Sequence, residues 1–418
     1  MFKSITLEKI FLFYVILFAA QATLFTSDMD FRSNPIGVGI LLFLCIRLWV
    51  KHKISLRNKK LQIIYAILAI WTVLHYLTDL EFKLLPYIIL YINITVGYCL
   101  VKIYGNNLYK KVTQYITFLT GVSLVLWLIM HITGVGVFES IGFMKPASGT
   151  STTSLLIFNV PNIHIYEGKG IGPFMRNCGF AWEPGLFASF ICFAIYFNLL
   201  IKKQIKGNYG FYILTLGLFS TFSTTGYSAF LLIIANYFII QNAKKSTKLL
   251  YIVLGIPIFL YIINLPFMAE KMKEENENEN FIFDNNQRTS EIESEGKAIT
   301  VRRWEGIMMD FLNIQDRPLI GYGTKNNSYI YTHISPYLIS SNGIASTFAR
   351  FGIILGLLIN IAFIYNTSYI DKLFKQKYCI FYILFMTLSV SYNFTTLALT
   401  IALFCNNLLT NKTKNYTR

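Results

Sequence analysis

Apolar residues in this chain come in long unbroken runs, without the alternation of half-buried strands or the single stripe of surface helices. Such runs occupy 10–26, 36–50, 61–78, 84–101, 112–133, 184–201, 249–265 and 344–366. A bilayer core of about 30 Å takes about 20 apolar residues of helix, so each run predicts one membrane span. Two further runs, 209–241 and 378–409, are too long for one span and just long enough for two. Lys202, Lys203 and Lys206 precede the first and Lys244, Lys245 and Lys248 follow it; Lys372, Lys375 and Lys377 precede the second and Lys412, Lys414 and Arg418 follow it. If basic residues mark the cytoplasmic side, each run must turn back on itself. Thr224-Thr225-Gly226 and Ser391-Tyr392-Asn393 are the predicted turns. The first run has no convincing small-residue cleavage site, so a retained helix is expected there rather than a signal peptide.

The pattern therefore predicts an all-α polytopic membrane protein of about 12 transmembrane helices with both termini cytoplasmic. Charge follows the same division. The predicted inner segments hold 22 of the 37 Lys and Arg residues but only Glu8 and Asp371 of the 21 acids. Two outer segments are long: 134–183 after the fifth span and 266–343 after the ninth, both inside a single membrane domain covering 1–418. The second opens with a Glu/Asn-rich acidic insertion, 270–295, expected to be solvated and assigned no function. Helical spacing then appears at Ile307, Met308, Phe311 and Leu312, Pro318 ends it, and Gly321-Tyr322-Gly323 predicts a tight turn. No internal repeat relates 1–200 to 201–418, which counts against repeat-built transporter architectures.

Composition agrees. Of 418 residues, 54% are hydrophobic and 14% charged, too few charges for a soluble domain. The net charge of +16 sits in short clusters between apolar runs, which suits membrane topology and not nucleic-acid binding. Five of the six cysteines fall in predicted helices and Cys178 alone in a loop, so no disulfide framework is implied.

Candidate chemistry gathers at the outer boundary, first in segment 176–185, which reads RNCGFAWEPG. Arg176 offers a planar fork for phosphate oxygens, or else anchors a helix end by snorkelling. Arg302, Arg303, Arg317 and Arg350 carry the same two readings, and together they exceed what anchoring needs, which favours anion binding. Glu183 precedes Pro184 at the start of an apolar run. It reads either as a helix-terminus carboxylate or as a general base or acceptor of sugar hydroxyls. Trp182 and Trp304 are stacking surfaces for a sugar or members of an interfacial aromatic belt. His333 is a candidate base, or an incidental loop histidine. No two histidines have metal-ligand spacing, and no phosphate-cradling loop or dinucleotide fingerprint occurs, so neither a catalytic metal nor another cofactor is expected.

The layout, segment 176–185 ending in WEPG, Arg302-Arg303-Trp304 followed by PLIGYG at 318–323, and Asn342-Gly343 ahead of ARFGIILG at 349–356 together resemble the O-antigen polymerase (Wzy) family. That family belongs to the O-antigen ligase-like group of bacterial membrane glycosyltransferases. The resemblance implies a polymerase in the bacterial cytoplasmic (inner) membrane. Its substrates would be undecaprenyl-pyrophosphate-linked oligosaccharides for a lipopolysaccharide or capsule, with membrane lipid, a flippase and a chain-length regulator as partners. It further implies Arg176 with Arg302 or Arg303 at the pyrophosphate, Glu183 as base or hydroxyl-orienting group, and Arg350 as a second phosphate contact. The relatives usually carry a His-Asn pair before the tenth span, whereas His333 here is followed by Ile334.

The rival within the class is a ligase that moves finished polymer to a lipid acceptor. A flippase or other transporter would need charge near the bilayer midplane, and the helix interiors are nearly free of it. A structural scaffold would leave the loop arginines dispensable.

Overall fold

The computed structural model describes residues 6–20, 35–55, 57–78, 82, 84–142, 151–161, 175–238, 299–300, 303–323, 338–339, 342–376, 378–404 and 406. The predicted span 249–265, the acidic insertion 270–295, His164, Arg302 and His333 lie outside these. For Arg303 and Trp304 only the backbone is described.

The elements are α1 (Leu7–Ala19), α2 (Pro35–Lys51), α3 (Lys59–Thr78), α4 (Leu85–Tyr104), α5 (Asn107–Thr133), α6 (Val135–Ile141), β1 (Ser151–Ser154) and β2 (Asn159–Pro161). After these come α7 (Pro184–Lys202), α8 (Tyr209–Ser220), α9 (Thr224–Ala235), β3 (Ile299–Thr300), α10 (Arg303–Asp316), β4 (Leu338–Ile339), α11 (Gly343–Phe374), α12 (Ile380–Ser389) and α13 (Ala398–Phe404). Predicted and observed boundaries agree closely at α2, α3, α4 and α7. Among the described residues five helices (α3, α4, α5, α7 and α11) are long and apolar enough to cross a membrane. The helices α8 and α12, at 12 and 10 residues, are only about 18 and 15 Å long.

The two hairpins form, with one correction. The first turns at 221–223, ahead of the predicted 224–226. Ser223 accepts the Gly226 amide and caps α9, so Thr224 and Thr225 open a helix instead of making the turn. Two small additions interrupt the all-helical picture. Strands β1 and β2 pair antiparallel, with Ser151 opposite Pro161 and Ser154 opposite Asn159, and β3 pairs β4 in parallel. Both sheets fall in the predicted long outer segments.

Helix α7 is the axis of the bundle. It is apolar on every side because it is buried on every side, packed by α5, α8 and α9. Its aromatics meet those of the C-terminal hairpin: Tyr196 stacks on Phe381 at 5.6 Å, and Phe190 and Phe193 meet Phe394 edge-on. By contrast α3 exposes Ile63, Ile67 and Ile70, the side chains expected to face lipid.

Helix α11 departs most from expectation. In place of a span at 344–366 there is a 32-residue helix with a break at Gly352, where φ is +72°. That conformation is open to glycine and strained for any other residue. The chain at 318–323 fills the break: Ile353 donates to the Pro318 carbonyl at 2.7 Å, while Tyr322 and Gly323 donate to the carbonyls of Ala349 and Arg350 at 2.9 and 2.8 Å. The freed backbone groups are thus satisfied inside the protein, as a membrane setting demands.

Candidate functional site

Residues 175–182 form no regular element, yet many of their backbone groups are held by specific partners. The Met175 amide donates to His131 Nε2 at 2.9 Å, and its carbonyl accepts the Trp127 indole N–H at 2.8 Å. Because Nε2 accepts, the ring proton is on Nδ1 and points at the Trp127 carbonyl, 2.8 Å away. His131 is therefore a framework residue. Asn177 is fully buried. Its Oδ1 accepts from the Ser123 hydroxyl at 2.9 Å and the Gly179 amide at 2.8 Å, and its Nδ2 donates to the Ser220 hydroxyl at 3.0 Å. Asn159 of β2 holds the far side, its backbone amide donating to the Gly179 carbonyl and its Nδ2 to the Ala181 carbonyl, both at 2.8 Å. Gly179 has φ of +54°, and a Cβ there would lie 2.5 Å from the Phe187 ring, so no larger residue fits.

On this frame Arg176 is half-buried, and its Nε donates to the Thr221 carbonyl at 3.0 Å. The tip of the α8–α9 hairpin thereby sets the direction of the guanidinium. Glu183 is the residue before α7, with extended backbone, and its carboxylate makes no capping bond to the first turn. Glu183 thus occupies the N-cap position of α7, the helix-terminus place that its sequence context predicts. Trp182 is half-buried against the main core and its amide reaches the Ala20 carbonyl at 3.4 Å.

The turn between α12 and α13 meets the start of α7, and also the α8–α9 tip and the start of α11. A Cβ on Gly185 would lie 2.6 Å from the Tyr392 hydroxyl. Thr225 and Ser391 share a hydrogen bond at 2.9 Å between the two hairpins. At the start of α11, Asn342 caps the helix through Ala345 and donates to the Val390 carbonyl at 3.3 Å, and Asn393 donates to the Ser346 hydroxyl at 3.0 Å. Arg176, Glu183, Asn342 and Tyr392 therefore belong to one end of the bundle. Sequence reasoning took 391–393 only as a turn and overlooked Tyr392, Ser346 and Thr225. The signal available was the pairing of small Gly185 and Gly343 with polar hairpin tips.

Arg350 is half-buried two turns into α11, about 12 Å along the axis from Asn342, immediately before the break. Its carbonyl is held by Gly323. The same 318–323 segment is pinned by α3, since the Ile320 carbonyl accepts from Trp71 Nε1 and His75 Nε2, both at 3.0 Å. Arg317 already has partners: its guanidinium lies 4.6 Å from the Tyr322 ring centroid and 4.0 Å from the Asp316 carboxylate, which also accepts the Tyr322 hydroxyl. Among the described residues no group of three or more His, Cys, Asp or Glu side chains is placed to hold a metal ion.

A family described as O-antigen ligase matches residues 209–361, from the start of α8 to the middle of α11. The match takes in Thr221, Asn342 and Arg350 and stops short of Arg176 and Glu183. It supports membership of the ligase-like group and does not separate polymerase from ligase. Searches of curated proteins and of solved structures return no match.

Proposed function

We propose that this protein is a membrane glycosyltransferase of the polymerase type, acting on the outer face of the cytoplasmic membrane. In this reading a growing glycan leaves undecaprenyl pyrophosphate and joins the end sugar of a lipid-linked repeat unit. The observation that carries it is the arrangement at the head of α7: an arginine held by a hairpin tip and a carboxylate at the N-cap position of the helix, at the end of a bundle whose α8–α11 segment matches the O-antigen ligase family.

The chemistry balances with these groups. A hydroxyl of the acceptor sugar attacks the anomeric carbon, the bond from that carbon to the pyrophosphate oxygen breaks, and the hydroxyl proton passes to Glu183. Pyrophosphate is a good leaving group, and guanidinium groups meet its developing charge without a metal. Arg176 takes the leaving phosphate, with Arg302 or Arg303, and Arg350 makes a second phosphate contact. Trp182 and Trp304 lie on the sugar side, His333 is a reserve base, and Arg317, already facing Asp316, contributes least.

The ligase is the second reading, favoured by the description of the matching family. Purified protein given only a lipid-linked repeat unit separates the two. A ladder of lengthened products is expected of a polymerase, whereas transfer that requires an added lipid acceptor would make the protein a ligase.

A further inference from the structure

At the end of α3 remote from Trp71 and His75, a cavity of about 260 Å³ opens among the α2–α3 loop and α4, lined by His52, Lys53, Arg57 and Lys102 around Tyr98. Its shape is fixed. The Tyr98 hydroxyl donates to the Ser55 carbonyl at 2.7 Å, and Asn58 caps α3 through the Lys60 amide at 3.0 Å. The nearby acid, Glu8, pairs with Lys51 at 2.7 Å and with His52 of the pocket lining at 2.9 Å, which leaves Lys53, Arg57 and Lys102 as the basic groups of the pocket. Among the described residues no carboxylate pairs with Lys53, Arg57 or Lys102. Membrane topology needs basic charge here but neither a concave pocket nor a retracted amine. A snorkelling lysine keeps its ammonium in water, yet Lys102 is half-buried with Nζ 5.2 Å from the Tyr98 ring centroid.

A second cavity, about 550 Å³ and almost wholly apolar, starts at Lys60 and runs between α3, α4 and α11 past Ile64, Leu68, Leu355 and Phe363. The two lie in line along one ridge of α4. Leu90 and Ile94 line the apolar cleft, and Tyr98 and Lys102, the next residues at four-residue spacing, line the basic pocket. A basic pocket one helical turn from an apolar cleft matches a phosphate head with a hydrocarbon tail. A free anion would have no use for the cleft, and a neutral lipid none for the charges.

We propose that the two neighbouring cavities together bind one anionic phospholipid, its phosphate held among Lys53, Arg57 and Lys102 and an acyl chain lying between α3, α4 and α11. The lipid acts as a wedge for α3, which has few packing partners of its own along this length.

Native mass spectrometry of the full-length protein, released from detergent after titration with phosphatidylglycerol or phosphatidylcholine, tests the proposal. One phosphatidylglycerol should be retained preferentially, and Arg57→Gln with Lys102→Gln should weaken retention about 30-fold. Ile94→Trp, which fills the cleft, should also reduce it. Equal retention of the two lipids, or unchanged retention by the double variant, would overturn the proposal. A competition arm needs no variant: glycerol phosphate, lacking chains, should fail to displace phosphatidylglycerol. Displacement at equal concentration would make the pocket a soluble-anion site and defeat the lipid assignment.

Discussion

The Nε of Arg176 donates to the carbonyl of Thr221 at 3.0 Å, across 45 residues of chain. An arginine in an irregular loop is thus oriented by the tip of a helical hairpin, and through Asn177 and Ser220 the same tip carries the loop's buried polar bonds.

Arginine and lysine should therefore differ at position 176. Lysine keeps the charge but lacks the Nε that Thr221 holds and the fork that phosphate fits. Arg176→Lys and Arg176→Ala should both lower turnover by about 100-fold or more, the usual cost of removing a group that stabilises transition-state charge. Measured kcat and KM for a lipid-linked oligosaccharide check this; near-normal turnover by the lysine variant would mean that charge alone suffices.

Asn177 should matter for stability. Replacing it with alanine strands the buried Ser123 hydroxyl and the Gly179 amide, at a cost of about 1–3 kcal/mol for each group left unsatisfied. A clear fall in the melting temperature of detergent-solubilised Asn177→Ala is expected, and an unchanged Tm would contradict the role given to this frame.

Much of the fold is written in run length and flanking charge. The start of α7 at Pro184 and the two helical hairpins follow from apolar runs ending in prolines and lysines. The break in α11 does not, because Gly352 and the 318–323 segment are individually ordinary; the break exists only where the two meet. The site is legible in the same partial way. Arg176 and Glu183 stand out as charges beside an apolar run, whereas Tyr392, Thr225 and Asn342 join them through tertiary packing that no local pattern records. The first hairpin turn shifts for a local reason, since Ser223 competes successfully as a helix cap.

Gly352→Ala should uncouple that junction. The substitution forces a left-handed backbone on alanine, costing about 1–3 kcal/mol, and drives its Cβ into the Leu319 carbonyl. Lower stability together with faster proteolysis near 318–323 is expected. A variant as stable and as resistant as wild type would contradict the docking described for α11.

Acid should loosen the opposite end of the bundle. Glu8 lies ahead of the first predicted span, and its hydrogen bond to Lys51, with help from His52, lowers its pKa to about 2. A carboxylate whose pKa is depressed on folding stabilises the fold above its unfolded pKa of about 4.3 and loses that contribution as pH falls through the folded value. Glu8→Gln should therefore melt slightly lower than wild type at pH 7, with the gap closing as the pH falls from about 4 to about 2. A gap independent of pH would remove the ion pair from the explanation. High salt should narrow the gap at pH 7, as expected of a surface pair.

The central claim is that Arg176 and Glu183 act together on a lipid-pyrophosphate glycan. The most direct measurement incubates reconstituted protein with a synthetic lipid-linked repeat unit and follows chain length by gel. A ladder from the wild type is predicted, with loss of lengthened products in both Arg176→Ala and Glu183→Gln while each variant remains folded. Undiminished ladders from both variants would contradict the account.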